Sequence, residues 1–136
     1  MLHTVTAVRL QVLQISAKTR WTFAELRTSG GLRGTGEATL GGREPAIAQA
    51  VDALAPGLLG APVDAGAHAR MPPAAALPHA AARAALDQAL WDLRGQIAGQ
   101  ASAQLLAGLR RRAVALYANI NRRTSDRSAQ GFARSA

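Results

Sequence analysis

The sequence predicts an α+β fold: a three-stranded antiparallel meander in the first third of the chain, followed by a helical bundle. Three observations predict it. Residues 4–38 alternate apolar and polar side chains in three runs separated by turn residues, the two-residue period of strands. Residues 44–54 repeat apolar residues every three or four positions, the helical period. Residues 81–97 do so again over a longer span.

In the first run, Thr4 to Ile15, Val8, Leu10 and Val12 alternate with Arg9 and Gln11. The apolar parity then switches to Leu13 and Ile15, which predicts a bulge or bend. Ser16 to Arg20 is a short polar connection. The second strand, Arg20 to Thr28, puts Trp21 and Phe23 on one face and Ala24 and Leu26 on the other. Ser29, Gly30 and Gly31 supply a hairpin turn, and Leu32 to Ala38 returns as the third strand. The Gly34-Thr35-Gly36 stretch opens no helix, so it is not a dinucleotide fingerprint, and Glu37 reads as a structural carboxylate pairing with an Arg.

After a loop at Thr39 to Arg43, Glu44 and Pro45 start a helix, because Pro suits the first helical position and Glu the positive helix end. Ile47, Val51 and Leu54 form its buried stripe, and Pro56-Gly57 ends it. Residues 61–78, rich in Ala, Pro and Gly, read as a broken helix and loop. His68 and His79 read there as surface or loop residues, not ligands.

The stretch from Ala81 to Arg112 organises the chain. Leu86, Leu90, Leu93 and Ile97 share one helical face. Arg83, Asp87, Arg94 and Gln96 share the other, with Arg83 and Asp87 four apart. Gly95 and Gly99 weaken and end this helix, and a short one over Ser102 to Leu106 stops near Gly108. Ala113 to Ile120 is a short apolar run that suits a strand buried on both faces, as in a parallel barrel. Ser128 caps a last helix, in which the chain is expected to stop.

Composition narrows the function. A chain of 136 residues is enough for one small domain with a core, and 49% hydrophobic content with 4% aromatic makes that core mostly Ala, Leu and Val. No apolar run approaches the roughly 18 residues of a membrane span. The first residues lack the charged and apolar regions of a signal peptide, so a cytoplasmic protein is expected. The absence of cysteine excludes disulfide and thiolate chemistry. The net charge of +8 comes almost wholly from Arg, which is scattered and clusters only at residues 110–112 and 122–123. No aromatic side chains interleave with it as stacking platforms, which argues against a nucleic-acid partner.

The letters carry a resemblance as well. Ala89 to Gln96 reads ALWDLRGQ, followed by Gly99, Leu105 to Gly108 and Val114 to Tyr117. Gly31 to Ala38 reads GLRGTGEA, and Pro56 to Gly60 reads PGLLG. Together these resemble the mandelate racemase/muconate lactonizing enzyme group of the enolase superfamily, which reads ALWDxxGK, GxP, LLGG and GxxGxGE. Gln96, Ala101 and Ala107 depart from the Lys, Pro and Gly of that pattern. The resemblance implies an N-terminal capping domain over residues 1–110. Residues 111–136 would then be the first strand and partial first helix of an incomplete (β/α)7β barrel, so the chain is expected to be truncated.

The resemblance also implies the chemistry. The family removes a proton α to a substrate carboxylate, with Mg²⁺ held by carboxylates on later barrel strands. No catalytic residue and no metal ligand of this chain matches that set, so the isolated chain is expected to need no cofactor and to be inactive. Mg²⁺ is expected for the full-length enzyme. Two cap loops are implied to face substrate: Lys18, Thr19, Arg20 and Trp21 in the first, Thr39 and Leu40 in the second. Lys18 and Arg20 suit a carboxylate. Asn119, Asn121 and Arg123 would stand at the barrel mouth. The stretch GEATLGGR from Gly36 to Arg43 is similar to the acid-sugar dehydratase branch, ahead of racemases and cycloisomerases. A small carboxylate or sugar-acid substrate and a homo-oligomer are implied for the full-length form. The alternative is a stand-alone basic module that binds an acidic partner through its Arg residues.

Overall fold

The computed structural model describes residues 2–107, 113, 115, 116 and 128–135. Strands β1 (Val5–Ser16), β2 (Thr19–Thr28) and β3 (Arg33–Glu37) come first. Helix α1 (Glu44–Leu54), two 3₁₀ turns (Ala55–Gly57 and Ala67–Arg70), and helices α2 (Leu77–Ala98), α3 (Ser102–Ala107) and α4 (Ala129–Ser135) follow. The strands form one antiparallel sheet in the order β1-β2-β3, which is the expected meander. Thr22, Ala24, Leu26 and Thr28 of β2 are buried, and Trp21, Phe23, Glu25 and Arg27 turn to the opposite face. Of the two turn glycines only Gly31 takes a positive φ, of 81°.

The parity switch in β1 has another cause than the expected bulge. Val12 opposes Thr22 and Leu13 opposes Trp21 in unbroken register, and the irregularities lie at Val5–Ala7 and Gln14–Ser16. Val12, Leu13 and Ile15 are 46%, 46% and 48% exposed. The hairpin there runs clear of the helices, so neither face of the strand is distinguished by burial.

Helix α1 starts at Glu44 and buries Ile47, Ala50, Val51 and Leu54, as the stripe predicts. Helix α2 starts at Leu77, earlier than the expected Ala81. Pro78 sits in its first turn, where a missing N–H is no loss. His79 is therefore a half-buried helical residue rather than a loop residue. The helix runs through Gly95 and ends at Gly99, whose φ of 63° makes the left-handed cap. Gly95 is small for a different reason: a Cβ there would stand 2.8 Å from the carbonyl oxygen of Gln100 in the returning loop. Ile97 does not join the buried stripe, being 40% exposed. Gln96 already reaches Arg33, the first residue of β3, so the last turn of α2 projects past the sheet. No ion pair joins Arg83 to Asp87 among the described residues.

The core lies between the sheet and helices α1 and α2. Leu26, Ile47, Leu54, Leu58, Leu86, Leu90 and Leu93 are fully buried in it, each stabilising the fold by about 2 kcal/mol. Helix α2 approaches β3 closely because Gly34 and Gly36 face it. A Cβ at Gly34 would come within 2.2 Å of the Ala89 carbonyl oxygen, and one at Gly36 within 1.9 Å of that of Ala85. Three polar side chains of α2 then bond the backbone of β3. The amide of Thr35 donates to Asp92 Oδ2 (3.0 Å), that of Glu37 to Gln88 Oε1 (3.1 Å), and Gln96 Nε2 donates to the Arg33 carbonyl (2.6 Å). The open edge of β3 is thereby covered. Glu37 makes no ion pair among the described residues, so its structural part is played by its amide and not by its carboxylate.

At the far side of the sheet, the loop after α1 covers the beginning of β1. Val5 donates to the Ala61 carbonyl (2.9 Å) and accepts from Gly60 (2.8 Å). Arg70 ties this loop down with two bonds to Asp64, of 3.1 and 2.8 Å. Most of the expected strand over residues 113–120 lies outside the described residues. The described Ala113, Ala115 and Leu116 belong to no regular element, and Leu116 is 94% exposed. Burial of such a strand needs a neighbour on either side. Ser128 caps α4 as expected, its Oγ accepting the Gly131 amide at 3.0 Å.

Candidate functional site

The β1–β2 hairpin and the loop between β3 and α1 meet at one end of the sheet. Ala17 and Lys18 form the hairpin turn between the paired Ser16 and Thr19. No residue in it takes a positive φ, so the register slip at Gln14–Ser16 absorbs the strand twist instead. Gln14 organises the tip. Its Nε2 donates to the carbonyls of Ser16 and Thr19, and its Oε1 accepts from Arg20 Nε at 2.9 Å. The Arg20 guanidinium is so oriented while its terminal nitrogens form no ion pair among the described residues.

Between this tip and the facing loop lies a cleft of about 260 Å³ lined by Gln14, Ala17, Lys18, Arg20, Gly41, Gly42 and Glu44. It brings two cations against one carboxylate, and Glu44 is engaged in its own loop, accepting the Gly42 amide at 3.3 Å. A positive φ of 75° at Gly42 makes that turn. Chemically, the cleft suits a small polyhydroxylated anion: cations for a carboxylate, and Gln, Glu and backbone groups for hydroxyls.

Lys18 and Arg20 line this cleft, whereas the other expected loop residues do not. Thr19 contributes its carbonyl to the Gln14 bond, and Trp21 is 45% exposed with its ring edge-on to Phe23 at 6.4 Å. Thr39 turns its hydroxyl to the Thr22 amide (3.0 Å), and Leu40 packs against the core. Asn119, Asn121 and Arg123 lie outside the described residues. Sequence reasoning missed Gln14 and Glu44. A glutamine beside the only polar turn of the hairpin was the available signal for Gln14.

Two ion pairs lie apart from the cleft. On the outer sheet face, the Arg27 guanidinium bonded to Glu25 at 2.7 Å holds that carboxyl below its usual value, with Arg33 and Arg9 adding to the effect. Arg70 does the same to Asp64, and the Arg70 guanidinium is raised in turn. Among the described residues, no group of three His, Cys, Asp or Glu could hold a metal ion. No helix among them is long and apolar enough to cross a membrane.

Known proteins share this architecture. The family model for the mandelate racemase / muconate lactonizing enzyme N-terminal domain matches residues 3–107. A D-mannonate dehydratase from Xanthomonas oryzae pv. oryzicola is 36% identical over 110 residues, covering 73% of this chain and 25% of that protein. A muconate cycloisomerase from Azorhizobium caulinodans superposes with a TM-score of 0.68 at 30% identity, over 82% of this chain and 32% of the other. An enolase from Agrobacterium radiobacter, solved with sodium and L-malate bound, gives 0.66 at 28% identity over 79% of this chain and 29% of the other. The chain thus spans about a quarter of the length of the curated relatives it matches. With the meander, the glycine-faced β3 and the ALWD-bearing α2 in place, the chain belongs to the mandelate racemase/muconate lactonizing enzyme family of the enolase superfamily, as its N-terminal domain.

Proposed function

We propose that this chain is the substrate-capping part of an acid-sugar dehydratase, an enzyme that takes a proton α to a sugar-acid carboxylate and eliminates water. The observation that carries this reading is the cleft in which Lys18 and Arg20 face Gly41, Gly42 and Glu44. The D-mannonate dehydratases among the relatives favour dehydration. Cycloisomerisation is the second reading, favoured by the similarity in structure to muconate cycloisomerase.

On this reading residues 1–110 form the cap and residues 111–136 begin the barrel, with Asn119, Asn121 and Arg123 at its mouth. Lys18 and Arg20 bind an anionic or hydroxyl-rich end of the substrate, with Thr19, Trp21, Thr39 and Leu40 shaping the two loops. Closing these loops excludes water from the reacting carbon. The Mg²⁺ that the family resemblance implies for the full-length enzyme finds no ligand set among the described residues. On this reading the metal and the proton-abstracting groups belong to later barrel strands, and the part of the cap is to bind and enclose the substrate. A full-length form would be a cytoplasmic homo-oligomer.

The test is a titration of the ¹⁵N-labelled chain with D-mannonate and, separately, with uncharged D-mannitol. D-mannonate should shift the amides of Lys18, Arg20, Gly41 and Gly42, with affinity in the millimolar range. Exposed charge pairs contribute about 0.5 kcal/mol each, so the double substitution K18A/R20A should weaken binding about five-fold. Equal shifts with D-mannitol, or shifts confined to other residues, would refute this reading.

A further inference from the structure

The sheet manages its edges unevenly. Helix α2 covers the β3 edge through Gln88, Asp92 and Gln96, and the loop at residues 60–63 covers the start of β1. From Ala7 to Ile15 the outer backbone edge of β1 has no partner among the described residues. This edge also lacks the usual protections. The strand VTAVRLQVLQIS holds no Pro, no Lys and a single charge, Arg9. Val12, Leu13 and Ile15 are each close to half exposed, on both faces of the strand, and Leu13 stands opposite the 45% exposed Trp21.

We propose that this edge pairs antiparallel with β1 of a second copy of the chain, joining two three-stranded sheets into one across a two-fold axis. The strand is suited to itself. Its free portion, residues 7–15, centres on Gln11, and a two-fold there sets Gln11 against Gln11. It also sets Leu10 against Val12, Arg9 against Leu13 and Ala7 against Ile15. Apolar side chains meet on both faces, and the two Arg9 cations stay apart. An acidic peptide would find only one cation along the strand, whereas a second copy satisfies the backbone and covers the apolar residues together. Pairing along β1 needs no substrate. Because each chain carries a net charge of +8, the association strengthens with salt as long-range repulsion is screened.

Sedimentation equilibrium of the full 136-residue chain tests it. A reversible dimer is expected, tighter at 0.5 M than at 0.05 M salt, and L13K/I15K should weaken it about ten-fold. I97K, at a 40% exposed residue on the last turn of α2 beyond the β3 side of the sheet, should leave it unchanged. Circular dichroism checks that each variant folds. Since the chain holds no cysteine, Q11C gives a clean second readout. Opposed residues of an antiparallel pair lie within disulfide reach, so Q11C should cross-link in air to covalent dimers while Q49C, on helix α1, should not. A monomer at every concentration up to about 1 mM would overturn the proposal. So would a dimer weakened equally by I97K, or Q11C cross-linking no faster than Q49C.

Discussion

Substituting Gly36 by Ala tests the α2–β3 joint most directly. The added Cβ would stand 1.9 Å from the Ala85 carbonyl oxygen and 2.8 Å from Gln88 Cβ, where ordinary contact begins at 3.4 Å. The obstacle is helix backbone, which cannot rotate aside, so α2 must retreat by about 1.5 Å or β3 must bend. Retreat by that distance loosens Leu86, Leu90 and Leu93 from the sheet and stretches the three bonds from Gln88, Asp92 and Gln96. Overpacking of this kind costs about 3 kcal/mol, and the weakened hydrogen bonds add about 1 kcal/mol. The total of about 4 kcal/mol is a large share of the stability of a small domain and corresponds to a Tm lower by about 20 °C. Urea unfolding followed by circular dichroism measures it. Gly41→Ala is the matched control, because a Cβ there meets nothing within 4 Å and its φ is not positive. That change should fall within about 0.5 kcal/mol of neutral. A Gly36→Ala loss under about 1 kcal/mol would refute the reasoning, since the joint would then have slack that the geometry denies.

Other perturbations have expected outcomes. Asp92→Ala leaves the Thr35 amide without an acceptor and should cost about 2 kcal/mol in urea unfolding. Asp92→Asn keeps an oxygen in place and should lose less. Gly99→Ala forces a side chain into the left-handed cap at φ 63° and should cost about 1 kcal/mol, read as a lower thermal midpoint. The Glu25 and Asp64 carboxyls are held below their ordinary 4.5 and 3.8 by Arg27 and Arg70, so the unfolded chain binds protons at those sites before the native one does. Their stabilisation is complete above about pH 4.5 and is lost as the pH falls through the depressed native values. E25Q/D64N should therefore flatten the acid limb of the stability–pH curve and leave its slope near pH 7 unchanged.

Elements whose pattern repeats locally were legible in the sequence. The alternation in β2, the stripe of α1 and the cap at Ser128 each depend on residues within one turn or one strand of one another. The α2–β3 joint was not legible, because its pattern is split. Gln88, Asp92 and Gln96 form a polar line on one stretch of helix, and Gly34 and Gly36 lie more than fifty residues earlier. Neither half shows which the other is. Ile97 follows the same logic, since the period places it on the apolar face but only the length of β3 decides whether anything lies beneath it. At the cleft, the charges of Lys18 and Arg20 marked the hairpin turn, while Gln14 acts through carbonyls of its own turn and Glu44 through the loop of its own helix. Thr39 belongs to a loop that the resemblance implies faces substrate, and no local pattern in the sequence shows that its hydroxyl also accepts the amide of the buried Thr22.

The way α2 grips β3 also governs which letters can drift. On the strand side the grip uses peptide groups and the absence of side chains, so β3 contributes two glycines and its backbone. Arg33, Thr35 and Glu37 point away from the helix, and their side chains can be exchanged freely without reaching the joint. On the helix side the same grip depends on three particular polar side chains and on the carbonyls of Ala85 and Ala89. Variation should therefore be lopsided: permissive at every second residue of the strand, closed at the glycines between them, and closed every fourth residue along the helix. A library randomised at Arg33, Thr35 and Glu37 would retain folded members in abundance, and the outer face of this strand is accordingly a place where new surface chemistry can be written without disturbing the domain.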